Sequence, residues 1–479
     1  MLGSHLIKLI DCLNTVVNNP SASPGPGARQ GARFALRADL LDFTAAPAWA
    51  TTALDAASPA VRWRPDRWLL VEDGRIAGAL PGATPPGDDW LKLDQRGRLL
   101  LPGFIDSHVH CPQLDVIASH GTGLLDWLNT YTFPAEQRFA DPTVAAEGAA
   151  RFLDALLAHG TTAAVVFPTV HKVSAQALFE AAAVRGMRLV TGKVLMDRHA
   201  PPGLVDDVVQ AQTDCEDLIQ RHHGQGRNSY AVTVRFAATS TPAQLAMAGA
   251  LCQRHRSVYL QTHVAETLDE VRWIAELFPQ ARSYLDVYHQ HGLLHERSVL
   301  AHGIWLDDTD RALLAQTGAH IAHSPSSNLF LGSGLFDWPA ALAHQHGVSL
   351  ASDVGGGTSL SMQRTMADAY KVQALRGQRL SAWTALHSAT LGAAQALRLD
   401  HEIGHLSQGA VADLALWDWA VGPVAQHRDA VARGAVAGLP AQELHARVFA
   451  WLTLADERNL VASLVAGSLR QGRLDTPVP

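Results

Sequence analysis

The sequence predicts an α/β protein, a (β/α)8 barrel carrying a small composite β domain. Two observations predict it. Eight short apolar runs alternate with longer helix-like segments through the middle of the chain, and β-like segments lie both before and after that alternation. A length of 479 residues suits one large barrel plus a satellite domain.

Residues 1–31 read as an extension and linker. The apolar opening MLGSHLIKLI is interrupted by Lys8, and Asp11 follows it, so the continuous apolar centre of a secretory signal is missing. The stretch PSASPGPGARQG has the composition of a flexible linker. Residues 32–101 hold the β-like runs RFALRADLLDF, RWLLVEDGRIAGAL and WLKLDQRGRLLLPG, with Asp73-Gly74 as a hairpin turn signal. The barrel is expected over 102–399, from the runs GFIDSHVH, TTAAVVF, RLVTGKVLM, YAVTVRFA, VYLQTHVAE, RSVLAHGI, AHIAHSPSSN and VSLASDVGGG. Patterns such as ARFLDALLAHG and VSAQALFEAAAVRG supply helices between them. After the helical stretch SAWTALHSATLGAAQAL, the segment GHLSQGAVADLALWDW turns β-like again, so residues 400–479 are expected to complete the small domain and add a helical segment.

Composition narrows the function classes. Hydrophobic residues make up 47% and charged residues 17%, a globular balance. The net charge is −7 and no Lys/Arg-rich run occurs, which argues against nucleic-acid and anionic-membrane binding. No apolar run reaches the roughly 18–20 residues of a membrane span. Cys12, Cys111, Cys215 and Cys252 are scattered without a disulfide framework, as expected of a cytoplasmic protein.

Polar residues collect where the apolar runs end. His108 and His110 end the first run, Arg235 and Phe236 sit on the fourth, His263 ends the fifth with Glu266 just beyond, His302 ends the sixth and Asp353 the eighth. In a barrel all these ends meet at one face. Residues two apart on a strand share a side, so His108 and His110 point inward together, with Asp106 on the same parity. With His263 and Asp353 they form an N/O ligand set suited to Zn2+, and no thiolate is placed to join. Cys111 has the opposite parity and is expected to pack. The glycines 355–357 lack the context of a phosphate loop and read as a tight turn that admits substrate. LGSGLF does not supply a serine-hydrolase elbow.

These residues resemble the amidohydrolase superfamily. LPGFIDSHVH carries its PGxxDxHxH opening, and QTHVAE, LAHG, HSPSSN and ASDVGG are similar to its later strand-end motifs. The likeness runs from about Leu101 to Asp413 and implies a distorted barrel with a β-sandwich satellite. Two-metal members commonly carry a carboxylated lysine on strand four; AVTVRFA has none, and Lys193 sits on run three, so one metal is implied. The HVAE spacing resembles the deaminase branch, in which the Glu shuttles protons. Within it, HCPQLD, LLDWLNTYTFPAEQRF, RFAATS and THVAETLDEV resemble the guanine deaminases.

That resemblance implies hydrolysis of guanine to xanthine and ammonia. One Zn2+ per chain would be held by His108, His110, His263 and Asp353 and would activate water. Asp353 and Glu266 would handle protons, and His302 would bind the reacting oxygen. Gln113, Arg235 and Phe236 would bind the purine, and Thr132–Glu136 would shape the mouth. Because neighbouring strand residues face opposite ways, Arg235 and Phe236 can both meet a ligand only if the strand ends or bulges there. A homodimer is also implied. The alternatives are a deaminase or chlorohydrolase of another amino-heterocycle, such as a pterin or triazine, and a non-catalytic metal-binding barrel.

Overall fold

The computed structural model describes residues 33–49, 58–121, 123–434 and 440–475; the extension at 1–31, with Cys12, lies outside the described residues. The chain opens with β1 (Arg33–Phe43), β2 (Val61–Glu72), β3 (Arg75–Pro81) and β4 (Leu91–Pro102). Barrel strands follow: β5 (Phe104–His110), β6 (Thr161–Phe167), β7 (Arg188–Thr191), β8 (Val194–Leu195), β9 (Asn228–Val234), β10 (Tyr259–Val264), β11 (Ser298–His302), β12 (His320–His323) and β13 (Val348–Leu350). The last strands are β14 (Leu414–Trp417), β15 (Leu460–Val465) and β16 (Ser468–Gly472), with helices Pro423–Gly434 and Pro440–Leu454 between β14 and β15.

Both ends of the chain enter one seven-stranded sheet, in the order β16-β15-β14-β4-β1-β2-β3. Its neighbours are antiparallel except β1 and β4. The hairpin between β2 and β3 turns on Asp73 and Gly74, both at positive φ (49° and 76°), which two-residue turns of matching twist require. Strand alternation gives β4 two separate tasks. Leu99 and Leu101 join the large core under the barrel, whereas Leu100 joins the small core with Leu36, Leu40 and Leu69.

The eight apolar runs are the barrel. They pair in parallel in the order β5-β6-β7-β9-β10-β11-β12-β13, with β8 on β9. The third run is split into β7 and β8 around Gly192, where a Cβ would sit 1.9 Å from the Ala231 carbonyl oxygen; only glycine allows that approach. The ring closes where Asp353 N–H donates to the His108 carbonyl (3.0 Å) and His110 N–H to that of Val354 (2.9 Å). Below the strand ends, Ile105, Val165, Val190, Ala231, Tyr259, Val299, Ala322 and Ala351 fill the interior. The barrel is therefore solid, and its functional groups are confined to the C-terminal rim. Among the described residues, no helix is long and apolar enough to cross a membrane.

Candidate active site

The predicted ligand set converges. One donor atom from each of His108, His110, His263 and Asp353 lies within 4.8 Å of the others. His110 Nε2 stands 3.1 Å from His108 Nε2 and 3.2 Å from His263 Nε2. Asp353 Oδ1 is 3.1 Å from the first and 3.3 Å from the second of the β5 imidazoles. The β5 pair results from two-residue spacing on a strand, as expected. Asp353 arrives differently: it lies three residues past β13, at φ 51°, held by its N–H bond to His108.

Electrostatics suit the quartet to hold a cation. Burial, then the neighbouring imidazoles, hold His263 well below its ordinary pKa, and burial with the charge of His108 depresses His110 to about 3 despite Asp353. Both rings are therefore neutral, with lone pairs to offer. His263 Nδ1 faces the Arg235 carbonyl at 2.6 Å, which fixes Nδ1 as the protonated nitrogen and turns the Nε2 lone pair toward the quartet. Burial would raise Asp353, but His108, His110 and His302 together hold it well below the carboxylate range. Buried lone pairs crowded together are costly unless a cation satisfies them. Asp106 shares the inward parity, yet it accepts from Ser352 N (3.0 Å) and Ser352 Oγ and so braces the closing segment. Lys193 pairs with Asp206 at 2.5 Å, away from the quartet. Cys111 packs in the large core, and Cys111, Cys215 and Cys252 are buried free thiols.

Two further groups stand beside the quartet. His302, at φ 71°, has Nδ1 2.9 Å from Asn328 Oδ1, which leaves Nε2 pointing inward, 3.5 Å from Glu266 and 3.8 Å from Asp353. Glu266 follows Ala265 (φ 47°) and accepts from Ser333 Oγ at 2.8 Å. Burial and the nearby Asp353 charge push its carboxyl up to about 8, so near neutrality it holds a proton it can deliver. Behind it, Glu270 accepts from the Glu266 N–H (2.9 Å) and the Tyr284 hydroxyl (2.8 Å).

The opposite wall holds Gln113, Arg235 and Phe236. The strand β9 stops at Val234, and a short 3-10 turn begins at Ala237, so Arg235 and Phe236 escape the alternation that would have set them on opposite sides. Both line one cavity together with Gln113, His110, His263, Glu266, His302 and Asp353. Three consecutive helical turns, Leu124–Trp127, Leu128–Thr132 and Phe133–Gln137, roof it with Leu124, Trp127 and Leu128. Glu136 lies behind this wall, bound to Arg235 at 2.6 Å and accepting from Gln113 Nε2 at 3.3 Å. Sequence reasoning missed Asn328, Ser333, Glu270 and Tyr284. Asn328 sits in HSPSSN and is reached by asking what orients His302, and Glu270 closes a Thr267 capping box within THVAETLDEV; Ser333 and Tyr284 carry no local signal, because their partners lie 67 and 14 residues away.

A rim of three imidazoles and a carboxylate, with a proton-holding glutamate beside them, defines a metal-dependent hydrolase of the (β/α)8 class. The amidohydrolase family model matches residues 99–465, and the chain belongs to that family. Within it the chain is similar to guanine deaminases. It is 40% identical to guanine deaminase of Escherichia coli over 415 residues, 86% of this chain and 92% of the relative. The solved structure of an E. coli guanine deaminase matches with a TM-score of 0.85 at 38% identity, covering 92% of this chain and 99% of the other. A guanine deaminase from C. acetobutylicum, solved with guanine in its active site, matches at 25% identity with a TM-score of 0.77, covering 91% and 99%.

Proposed function

We propose that this protein hydrolyses guanine at C2, giving xanthine and ammonia, with one Zn2+ per chain. The observation that carries the reading is a single cavity with two unlike walls: an ion-binding quartet beside Glu266, and a buried wall of hydrogen-bond donors from Gln113 and Arg235. Purine specificity needs the second and hydrolysis the first. The similarity to guanine deaminases supports the same substrate.

His108, His110, His263 and Asp353 would hold the ion; three imidazoles and one carboxylate match the preference of Zn2+. When bound, such an ion lowers the pKa of water toward neutrality and makes hydroxide available for hydrolysis. Asp353 accepts the proton lost from water. Glu266 gives its proton to N3 of the purine, which makes C2 electrophilic; it then takes the proton of the hydroxyl now on C2 and passes it to the exocyclic amino group, and the proton held by Asp353 restores Glu266. The C2–N bond breaks and ammonia leaves. His302, aimed by Asn328, hydrogen-bonds the oxygen that has added to C2. Phe236 packs on the ring face. Arg235 offers only donors and suits a purine acceptor, the 6-oxo group.

A homodimer in the cytoplasm completes the proposal, supported by family resemblance and by the free buried thiols. Light scattering on a sizing column tests the assembly. An ultraviolet time course with metal-loaded protein tests the reaction. Guanine absorbance giving way to that of xanthine, with equimolar ammonia, is the expected result; no conversion by a protein of confirmed metal content would move the substrate to another amino-heterocycle.

A further inference from the structure

We infer that Glu136 is a specificity-determining positioning residue, which fixes the donor pattern of the substrate wall and so selects a 6-oxo over a 6-amino purine. The inference rests on the guanine reading and deepens it. Glu136 is fully buried and does not line the cavity; it stands behind the residues that do. One carboxylate oxygen accepts from Arg235 at 2.6 Å, and the other accepts from Gln113 Nε2 at 3.3 Å. The Gln113 amide is held at its other end as well, where Oε1 accepts from the Gly355 N–H at 3.2 Å. The Arg235 guanidinium also lies over the Phe133 ring, 5.2 Å from its centroid, so that helical turn grips the side chain twice.

The chemistry of this triad is directional. A carboxylate is an acceptor only, so the amide group nearest to it must be the NH2. Flipping Gln113 would set its carbonyl oxygen against the Glu136 carboxylate and leave the Gly355 N–H facing an NH2. The amide therefore cannot turn, and its second N–H stays directed away from Glu136. Arg235 adds donors and no acceptor. Together they present N–H groups to the purine, which a 6-oxo oxygen satisfies and a 6-amino group cannot. Buried donors left unpaired by the wrong substrate make such selection strong, on the order of 10^3-fold or more. Without the Glu136 charge, only the Gly355 N–H still opposes the flip, so Gln113 offers its carbonyl more readily and a 6-amino group is refused less strongly.

The test compares guanine with 2,6-diaminopurine, which carries the same C2 amino group but an amino group at C6. Wild-type protein and the E136Q variant, both metal-loaded, are assayed for kcat/KM on each. The expected result is a loss of roughly 10–100-fold on guanine, with 2,6-diaminopurine unchanged or improved, so that selectivity falls at least about tenfold. A parallel loss on both substrates marks a merely structural role and overturns the inference, as does unchanged selectivity. E136D keeps the counter-charge to Arg235 and guards against failure to fold; its shorter reach loses one of the two contacts, and selectivity intermediate between wild type and E136Q is expected. Selectivity in E136D as low as in E136Q overturns the inference. A wild type inert toward guanine but active on another amino-heterocycle refutes the guanine reading and this inference with it. A guanine-active wild type with an equally selective E136Q refutes the inference alone.

Discussion

His110, His263 and His302 reach the cavity from within strands, as His108 reaches the quartet, where the backbone ladder sets their positions, whereas Gln113, Arg235 and Phe236 reach it from turns and short helices beyond strand ends, with Glu136 behind them. The two walls are held by different means. On the ligand side, parallel pairing places His263 opposite Ala301 and Val264 opposite His302, and the spacing of the imidazoles follows from sheet geometry. On the other side nothing regular does this, and a buried ion pair with a doubly held amide fixes the side chains instead. Under the proposed function, chemistry common to many substrates would be built into the scaffold and substrate choice into loops, where it can change without disturbing the barrel.

The division predicts separable effects. Removal of the ion, by chelation or by His263→Ala, has the largest: turnover of every substrate falls by roughly 10^3-fold or more, and adding Zn2+ restores the chelated protein but not the variant. Metal analysis beside ammonia release checks it, and full activity without metal would break the comparison. Glu266→Gln retains metal and lowers kcat by about 100-fold or more on all substrates; near-normal turnover would remove Glu266 from the proton path. Arg235→Ala lowers kcat/KM for guanine by roughly 10–100-fold and leaves amino-heterocycles without a 6-oxo group little affected. Equal losses on both would assign it no part in recognition. Tyr284→Phe strips a donor from buried Glu270 and costs about 1–2 kcal/mol in denaturant unfolding.

Stability also carries a pH signature remote from the quartet. Burial depresses His320 and His323 to about 3, and His346 and His387 to about 4. The unfolded chain binds these protons below about pH 6.5, whereas the folded chain refuses them until far lower. The contribution of these histidines is therefore flat above about pH 7 and falls as pH drops toward 4, each on the order of 1 kcal/mol per pH unit. A shift of the urea midpoint between pH 7.5 and 5 that is the same in His387→Gln as in the wild type would contradict this.

Much of this architecture was legible in the sequence because strands announce themselves by apolar runs and their ends by polar residues. All eight barrel runs became strands, and the two-residue spacing of His108 and His110 gave their shared direction. The composite sheet was visible as β-like segments on both flanks, but its order was not, since pairing β14 to β4 joins residues some 300 apart. Arg235 and Phe236 posed a conflict of parity that only the end of β9 at Val234 resolves. Glu136 was visible as part of a motif block, yet its place behind Gln113 and Arg235 depends on how three irregular turns fold back over the rim.

The most direct test of the two-wall account is kcat/KM for guanine and for 2-aminopurine, which lacks the 6-oxo group, in Glu266→Gln and Arg235→Ala side by side. The account predicts that Glu266→Gln depresses both substrates by a similar factor, while Arg235→Ala depresses guanine alone. Matching losses on both substrates in both variants would contradict it.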